Sequence, residues 1–316
     1  MSRGVFIRGT GTVLLRGPGD AERLAPRLAE AVAPIEIPGN RVRMVHRIEE
    51  VAFLAAADAL AGGGRAFPVG EAGTGIVLGI DEGIDDIKAD HWRAVLAEGP
   101  LGASPLHFPF TAPNAVTAQL TILLDLRGET ATVCGGTLSG AEAIGLATAS
   151  VRDGRCDSIL AGGATSIGRT LARGIESACG GQSGEPRDGA GILLLEAEGA
   201  DGAAAEILGY GEGRGEGRVA AAVSRCLAEA KTGPGCLSEA VCAGGDPLEI
   251  AAGVREAGFK GAFSVAPSAD MHSAAFPLAV AGALREPERQ KGALLVVAAD
   301  FLGGAASLLV RRGDAA

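Results

Sequence analysis

Short apolar β-type runs alternate with Ala-rich helical stretches in two successive rounds along the 316 residues, and few folds accept that pattern. In the first round Val5–Ile7 and Thr12–Leu15 read as a strand interrupted by Gly9 and Gly11. Helices are predicted over Ala21–Ala33 and Ile48–Leu60, and a short buried strand over Gly75–Gly79. Residues 80–113 read as mixed. Asn114–Leu126 reads as a helix with Asn114 as its N-cap. Thr130–Cys134 is a strand, Ala141–Arg152 a helix, Asp157–Ala161 a buried strand, and 174–190 a surface loop. Ile192–Glu196 and Ala204–Tyr210 are further strands. The second round places helices at Arg218–Ala230, Pro247–Ala257 and Ala274–Leu284. Its strands are Ala240–Ala243 and Phe263–Val265, with a closing β pair at Ala293–Ala298 and Ala306–Arg311. Such alternation predicts an α/β fold with a largely parallel, helix-covered sheet, duplicated as residues 1–200 and 201–316 in one compact unit. The boundary, EAEGADGAAA, is soft.

Composition narrows the function. Hydrophobic residues make up 47% of the chain and charged ones 21%, which argues against long disordered tracts. The net charge of −10 argues against nucleic acid as a partner, because phosphate contacts need a concentrated basic surface. No apolar run reaches the length of a bilayer span, and MSRGVFIRGTG lacks the features of a signal peptide, so a cytoplasmic location is expected. Cys134, Cys156, Cys179, Cys226, Cys236 and Cys242 form no CxxC pair. His46, His91, His107 and His272 show no ligand spacing with them, so neither a zinc site nor any cofactor is expected. GTGTV near the start lacks the pattern of a nucleotide-binding loop. Arg41, Arg43, His46 and Arg47 form the one basic cluster, read either as a solvated helix start or as a docking patch for an acidic partner.

The most informative stretch is GETATVCGGTLSGAEAIGLATASVRDGRCDSILAGGATS, residues 128–166. It reads as strand, tight turn, helix, then a strand ending in Gly-Gly. A side chain on such a turn gains from the positive end of the helix dipole, and glycines let turn and helix approach closely. This stretch resembles the nucleophile elbow of β-ketoacyl synthases of the thiolase superfamily. The likeness extends in order through VFIRGTGTV, PNAVTAQLTILLDLRG, RDGAGILLLE, VAPSADMHSAAFPLAVAGAL and ADFLGGAASLLV. It implies a thiolase-like, duplicated α-β-α-β-α layered fold.

The same resemblance implies that the catalytic positions have changed. The family's nucleophilic cysteine falls on Thr137, its first catalytic histidine on Gly244 and its second on His272, while its lysine is replaced by Pro267. Phe301, Gly303 and Gly304 match the loop that helps build the family's oxyanion hole, and are expected at a substrate-binding position. A threonine hydroxyl is a far weaker acid than a cysteine thiol and needs an adjacent base to attack a thioester. Cys134 and Cys242 read as buried structural thiols rather than substitute nucleophiles.

Three functions remain open. One is a non-catalytic subunit resembling a chain-length factor, which pairs with an active β-ketoacyl synthase in fatty-acid or polyketide-type biosynthesis, with acyl carrier protein as a further partner. That family usually carries glutamine at the position of Thr137. The second is an acyltransferase or thioesterase-like enzyme using Thr137 and His272. The third is a homodimeric scaffold with a vestigial pocket, paired through the strand Thr130–Cys134.

Overall fold

The computed structural model describes residues 3–15, 18–33, 35, 44, 46–70, 73–168, 170, 172–173, 177, 188–197, 202–268, 271–286 and 292–312. Its strands are β1 (Phe6–Leu15), β2 (Thr74–Ile80), β3 (Thr130–Val133), β4 (Ser158–Thr165), β5 (Asp188–Glu196), β6 (Ala205–Arg214), β7 (Leu237–Gly244), β8 (Ala262–Val265), β9 (Ala293–Ala299) and β10 (Gly304–Arg312). Its α-helices are α1 (Pro18–Val32), α2 (Arg47–Gly62), α3 (Asp85–Glu98), α4 (Asn114–Leu124), α5 (Ser139–Arg152), α6 (Arg218–Glu229), α7 (Pro247–Glu256) and α8 (His272–Arg285).

The strands lie in the order β3-β2-β4-β5-β1-β6-β10-β9-β7-β8. Read inward from either edge, the first five and the last five follow one plan. β2 is parallel to β3 and β4, while β5 is antiparallel to β4 and β1. Likewise β7 is parallel to β8 and β9, and β10 is antiparallel to β9 and β6. Among the described residues the two halves of the sheet meet through the short β1–β6 pairing, with Phe6 opposite Glu206 and Ile7 opposite Ala205. The duplicated fold is therefore visible in strand connectivity, but the sheet is mixed rather than largely parallel as expected, with five of the nine neighbouring strand pairs among the described residues antiparallel.

Helices cover both faces of each half. α2 lies on β1 and β5 outside the first half, and α6 lies on β6 and β10 outside the second. α5 and α8 are sandwiched between the halves, where one core joins Ile144 and Phe276 to Val77 and Leu193 on one side and Val241 and Leu308 on the other. The result is the five-layer α-β-α-β-α arrangement. With both faces covered, β4 is buried along its whole length.

Glycine sets the spacing of the outer layers. Gly9 and Gly11 do not interrupt the first strand; they sit inside a continuous β1, on its face toward α2. A Cβ at Gly11 would stand 1.7 Å from the carbonyl oxygen of Ala55, so only glycine lets the helix backbone rest on the strand. The second half repeats the device, since a Cβ at Gly213 would lie 1.9 Å from the carbonyl oxygen of Arg218.

Other expectations are corrected in detail. Residues 85–98 form α3, which has no buried residue and so shows no apolar stripe in sequence. Pro113 occupies the cap position of α4, Asn114 is its first residue, and no side chain caps it. β4 runs on through Gly162 and Gly163 to Thr165 instead of stopping at Ala161. Cys134 is exposed, because β3 is short and lies at the sheet edge, whereas Cys156, Cys226 and Cys242 are buried. His46 is buried with Nε2 3.1 Å from the Phe110 carbonyl, and Arg47 pairs with Glu50 at 2.5 Å, so neither extends a free basic patch. Arg41, Arg43, Cys179, residues 178–187 of the expected loop and residues 198–201 of the soft boundary lie outside the described residues. No helix among the described residues is long and apolar enough to cross a membrane.

Gly11→Ala should cost about 3 kcal/mol or more in urea unfolding, because backbone must shift to admit the methyl group. Gly233→Ala, with open space around it, should stay within about 0.5 kcal/mol. Glu142, in the first turn of α5, has its carboxyl pushed up by burial and by Glu212, against the pull of Arg214. The native state then holds that proton at pH values where the unfolded chain has released it, so stability falls as pH rises past the ordinary glutamate range. Glu142→Gln should raise the Tm by about 1–2 °C at pH 7.5, and the gain should vanish below about pH 4.

Candidate functional site

The chain leaves β3 through Gly135 and Gly136, the latter at φ +91°, a conformation that favours glycine. Ser139 ties this turn together: its hydroxyl accepts from the Gly135 N–H at 2.8 Å and donates to the Gly136 carbonyl at 2.7 Å. Thr137 is thereby presented, half-buried, just before α5.

The start of α8 is brought to the same place by small residues. A Cβ at Gly140 would meet the Ser273 carbonyl oxygen at 2.0 Å, and one at Gly163 would meet it at 2.1 Å. The Ser273 hydroxyl donates to the Ala164 carbonyl at 2.7 Å and lies 3.1 Å from Thr165 Oγ1. These contacts fix His272, the first residue of α8, whose own backbone is left-handed at φ 45°.

Thr137, Gly244 and His272 line one cavity of about 400 Å³, with Ala275, Phe276 and Phe301 also in its wall. The first half contributes Thr137, and the second half supplies the other five from the ends of β7 and β9 and from α8. Gly244 offers no side chain there. Phe301 is 85% exposed at the rim. Gly303 and Gly304 stand outside the lining and shape the turn between β9 and β10, with Gly303 at φ +92° and the Gly304 N–H donating to Asp300 Oδ1 at 2.7 Å. Pro267 is exposed and outside the lining too.

The electrostatics of His272 come from a segment the sequence reading passed over. Glu82, just beyond β2, places Oε1 2.9 Å from His272 Nδ1, and its other oxygen lies 3.5 Å from Thr165 Oγ1. Burial pushes the Glu82 carboxyl up, but the hydrogen bonds from His272 and Asp81, the imidazole's charge and Thr165 together hold it below the ordinary range. Asp81 beside it is pushed up to about 7 by burial and by its hydrogen bond and charge repulsion with Glu82. The signal available in sequence was the acidic run DEGIDD directly after a buried strand. Arg218, another cavity residue absent from the sequence reading, pairs with Glu249 at 2.8 Å.

Neither cysteine is prepared for attack. Burial raises the Cys134 thiol, with the Asp81 charge adding and Lys88 opposing, and burial also raises that of Cys242. A raised thiol is largely protonated at neutral pH.

Comparison with known proteins agrees with this architecture. Among curated proteins the chain is 30% identical to the 3-oxoacyl-[acyl-carrier-protein] synthase 2 of Vibrio cholerae serotype O1 over 154 residues, 41% of this chain and 37% of that protein. The same figures hold for the synthase of that name from Vibrio harveyi, so the match spans well under half the length of these relatives. Three solved structures share the fold. They are a β-ketoacyl synthase from Burkholderia phymatum STM815 (TM-score 0.77, 19% identity, 99% of this chain and 100% of that one), the ishigamide ketosynthase/chain length factor (0.73, 23%, 98% and 100%), and a type II polyketide ketosynthase–acyl-carrier protein complex, AntDE:AntF (0.74, 17%, 99% and 100%). The model of the β-ketoacyl synthase N-terminal domain matches residues 35–198, just over half of the chain. The chain belongs to the β-ketoacyl synthase family.

Proposed function

We propose that this protein is a non-catalytic, ketosynthase-like subunit that pairs with an active β-ketoacyl synthase and helps shape its acyl pocket. One observation supports the reading: Thr137, Gly244 and His272, which we match to the family's Cys-His-His, line one cavity of about 400 Å³, and on that match two of the three catalytic side chains are replaced. A threonine hydroxyl lacks the acidity of a helix-activated thiol. Each donor missing from such a site typically costs about 10²–10³ in rate. Loss of nucleophile and imidazole together leaves a shaped, largely apolar wall, which suits lining an acyl chain better than transferring it. One structural neighbour is itself a ketosynthase/chain length factor, and another is a ketosynthase with its acyl-carrier protein, so both kinds of partner fit the proposal. The exposed edge of β3, with the exposed Ile122 on the neighbouring α4, is the proposed pairing face.

A second reading rests on Glu82. A carboxylate on Nδ1 orients an imidazole as a base, and Thr137 lines the same cavity as that imidazole. Acyl transfer through Thr137 is the activity this arrangement would support.

Reconstitution with a ketosynthase encoded nearby tests the first reading. The pair should condense at least about 100-fold faster than the ketosynthase alone. Thr137→Ala should leave that rate within about twofold, and Ala275→Phe, which narrows the cavity, should shorten the product chain. A rate that the chain does not raise would contradict the proposal. For the second reading, incubation with acyl thioesters should yield a mass adduct on Thr137 that Thr137→Ala abolishes; absence of any adduct removes it.

A further inference from the structure

We propose that Asp81, Glu82 and His272 form a binding site for a first-row divalent cation. Each residue offers one donor atom, and the three atoms lie within 4.8 Å of one another. Donors about 2.0–2.2 Å from a shared tetrahedral centre stand roughly 3.3–3.6 Å apart, so closure around an ion needs side-chain shifts of up to about an ångström. Two carboxylates with one imidazole suit Zn²⁺ or Mn²⁺ better than Cu⁺, which prefers sulfur.

The surroundings favour such a site. Glu82 and His272 are half-buried and come from the segment after β2 and the start of α8, so the packed fold brings them together. Asp81 is exposed, which leaves an entry path. Outer hydrogen bonds hold the donors in place: Thr165 reaches Glu82, and Ser273, next to His272, is anchored on the Ala164 carbonyl. The cation would engage His272 from the Glu82 side, and neither Asp81 nor Glu82 lines the cavity holding Thr137. His272 is shared between this site and the cavity wall, and an ion held on Glu82 and His272 would take the place of the carboxylate–imidazole pair that the second reading uses.

The full chain, without a polyhistidine tag and stripped with chelator, should be titrated calorimetrically with Zn²⁺ and with Mn²⁺. One saturable equivalent is expected, weakened at least about 30-fold in Glu82→Gln and in Asp81→Asn. X-ray absorption of the zinc-loaded wild-type chain should show a nitrogen/oxygen shell, a readout that does not depend on how either variant folds. No saturable binding by the wild-type chain, unchanged affinity in both variants, or sulfur in the zinc shell, as Cys134 would supply, would each overturn the proposal.

Discussion

Everything at the centre of this molecule depends on one steric constraint. The Ser273 carbonyl sits so close to Gly140 and Gly163 that no side chain fits at either position. That contact locks the start of α8 against the start of α5 and against β4. Thr137 precedes one of those helices and His272 opens the other, so backbone contact, rather than any bond between the two side chains, brings them to one cavity. A methyl group at Gly140 would have to push the two helix starts apart, and the cavity between them would change shape. The outer layers use the same device at Gly11 and Gly213. Glycine thus fixes the interlayer spacing in all three helical layers.

The chemistry then separates from the scaffold. What holds the cavity open is packing and glycine geometry, neither of which requires a thiol at position 137 or an imidazole at position 244. The shape of the cavity therefore does not depend on which side chains stand at those two positions. Glu82 engages His272, the imidazole in the same cavity wall. A histidine held by a carboxylate is either an oriented base or part of a charged cluster. The weak acidity of Thr137 favours the second role at neutral pH.

Much of this was legible in sequence because it lives on local patterns. Alternating strands and helices point to a helix-covered sheet in two rounds, while the layered fold and the positions Thr137 and His272 come from the resemblance to β-ketoacyl synthases carried by the motifs around them. What stayed hidden depends on tertiary approach. Gly9 and Gly11 read as breaks in a strand, because their reason is a helix some fifty residues further on. Helix α3 lies wholly on the surface, Trp92 being 61% exposed, and so lacks the apolar stripe that announces a helix. Cys134 reads as buried because it falls inside a predicted strand, yet β3 ends at Val133 on the sheet edge and leaves it exposed. The contact of Glu82 with His272 spans two distant segments, and no local pattern encodes it.

Native mass spectrometry after co-expression with a ketosynthase encoded nearby tests the proposal that this scaffold serves to line a partner's acyl pocket. The prediction is a one-to-one complex containing this 31.4 kDa chain, with little of the chain left unpaired. A chain that remains a stable monomer or homodimer while the ketosynthase assembles without it would contradict the claim.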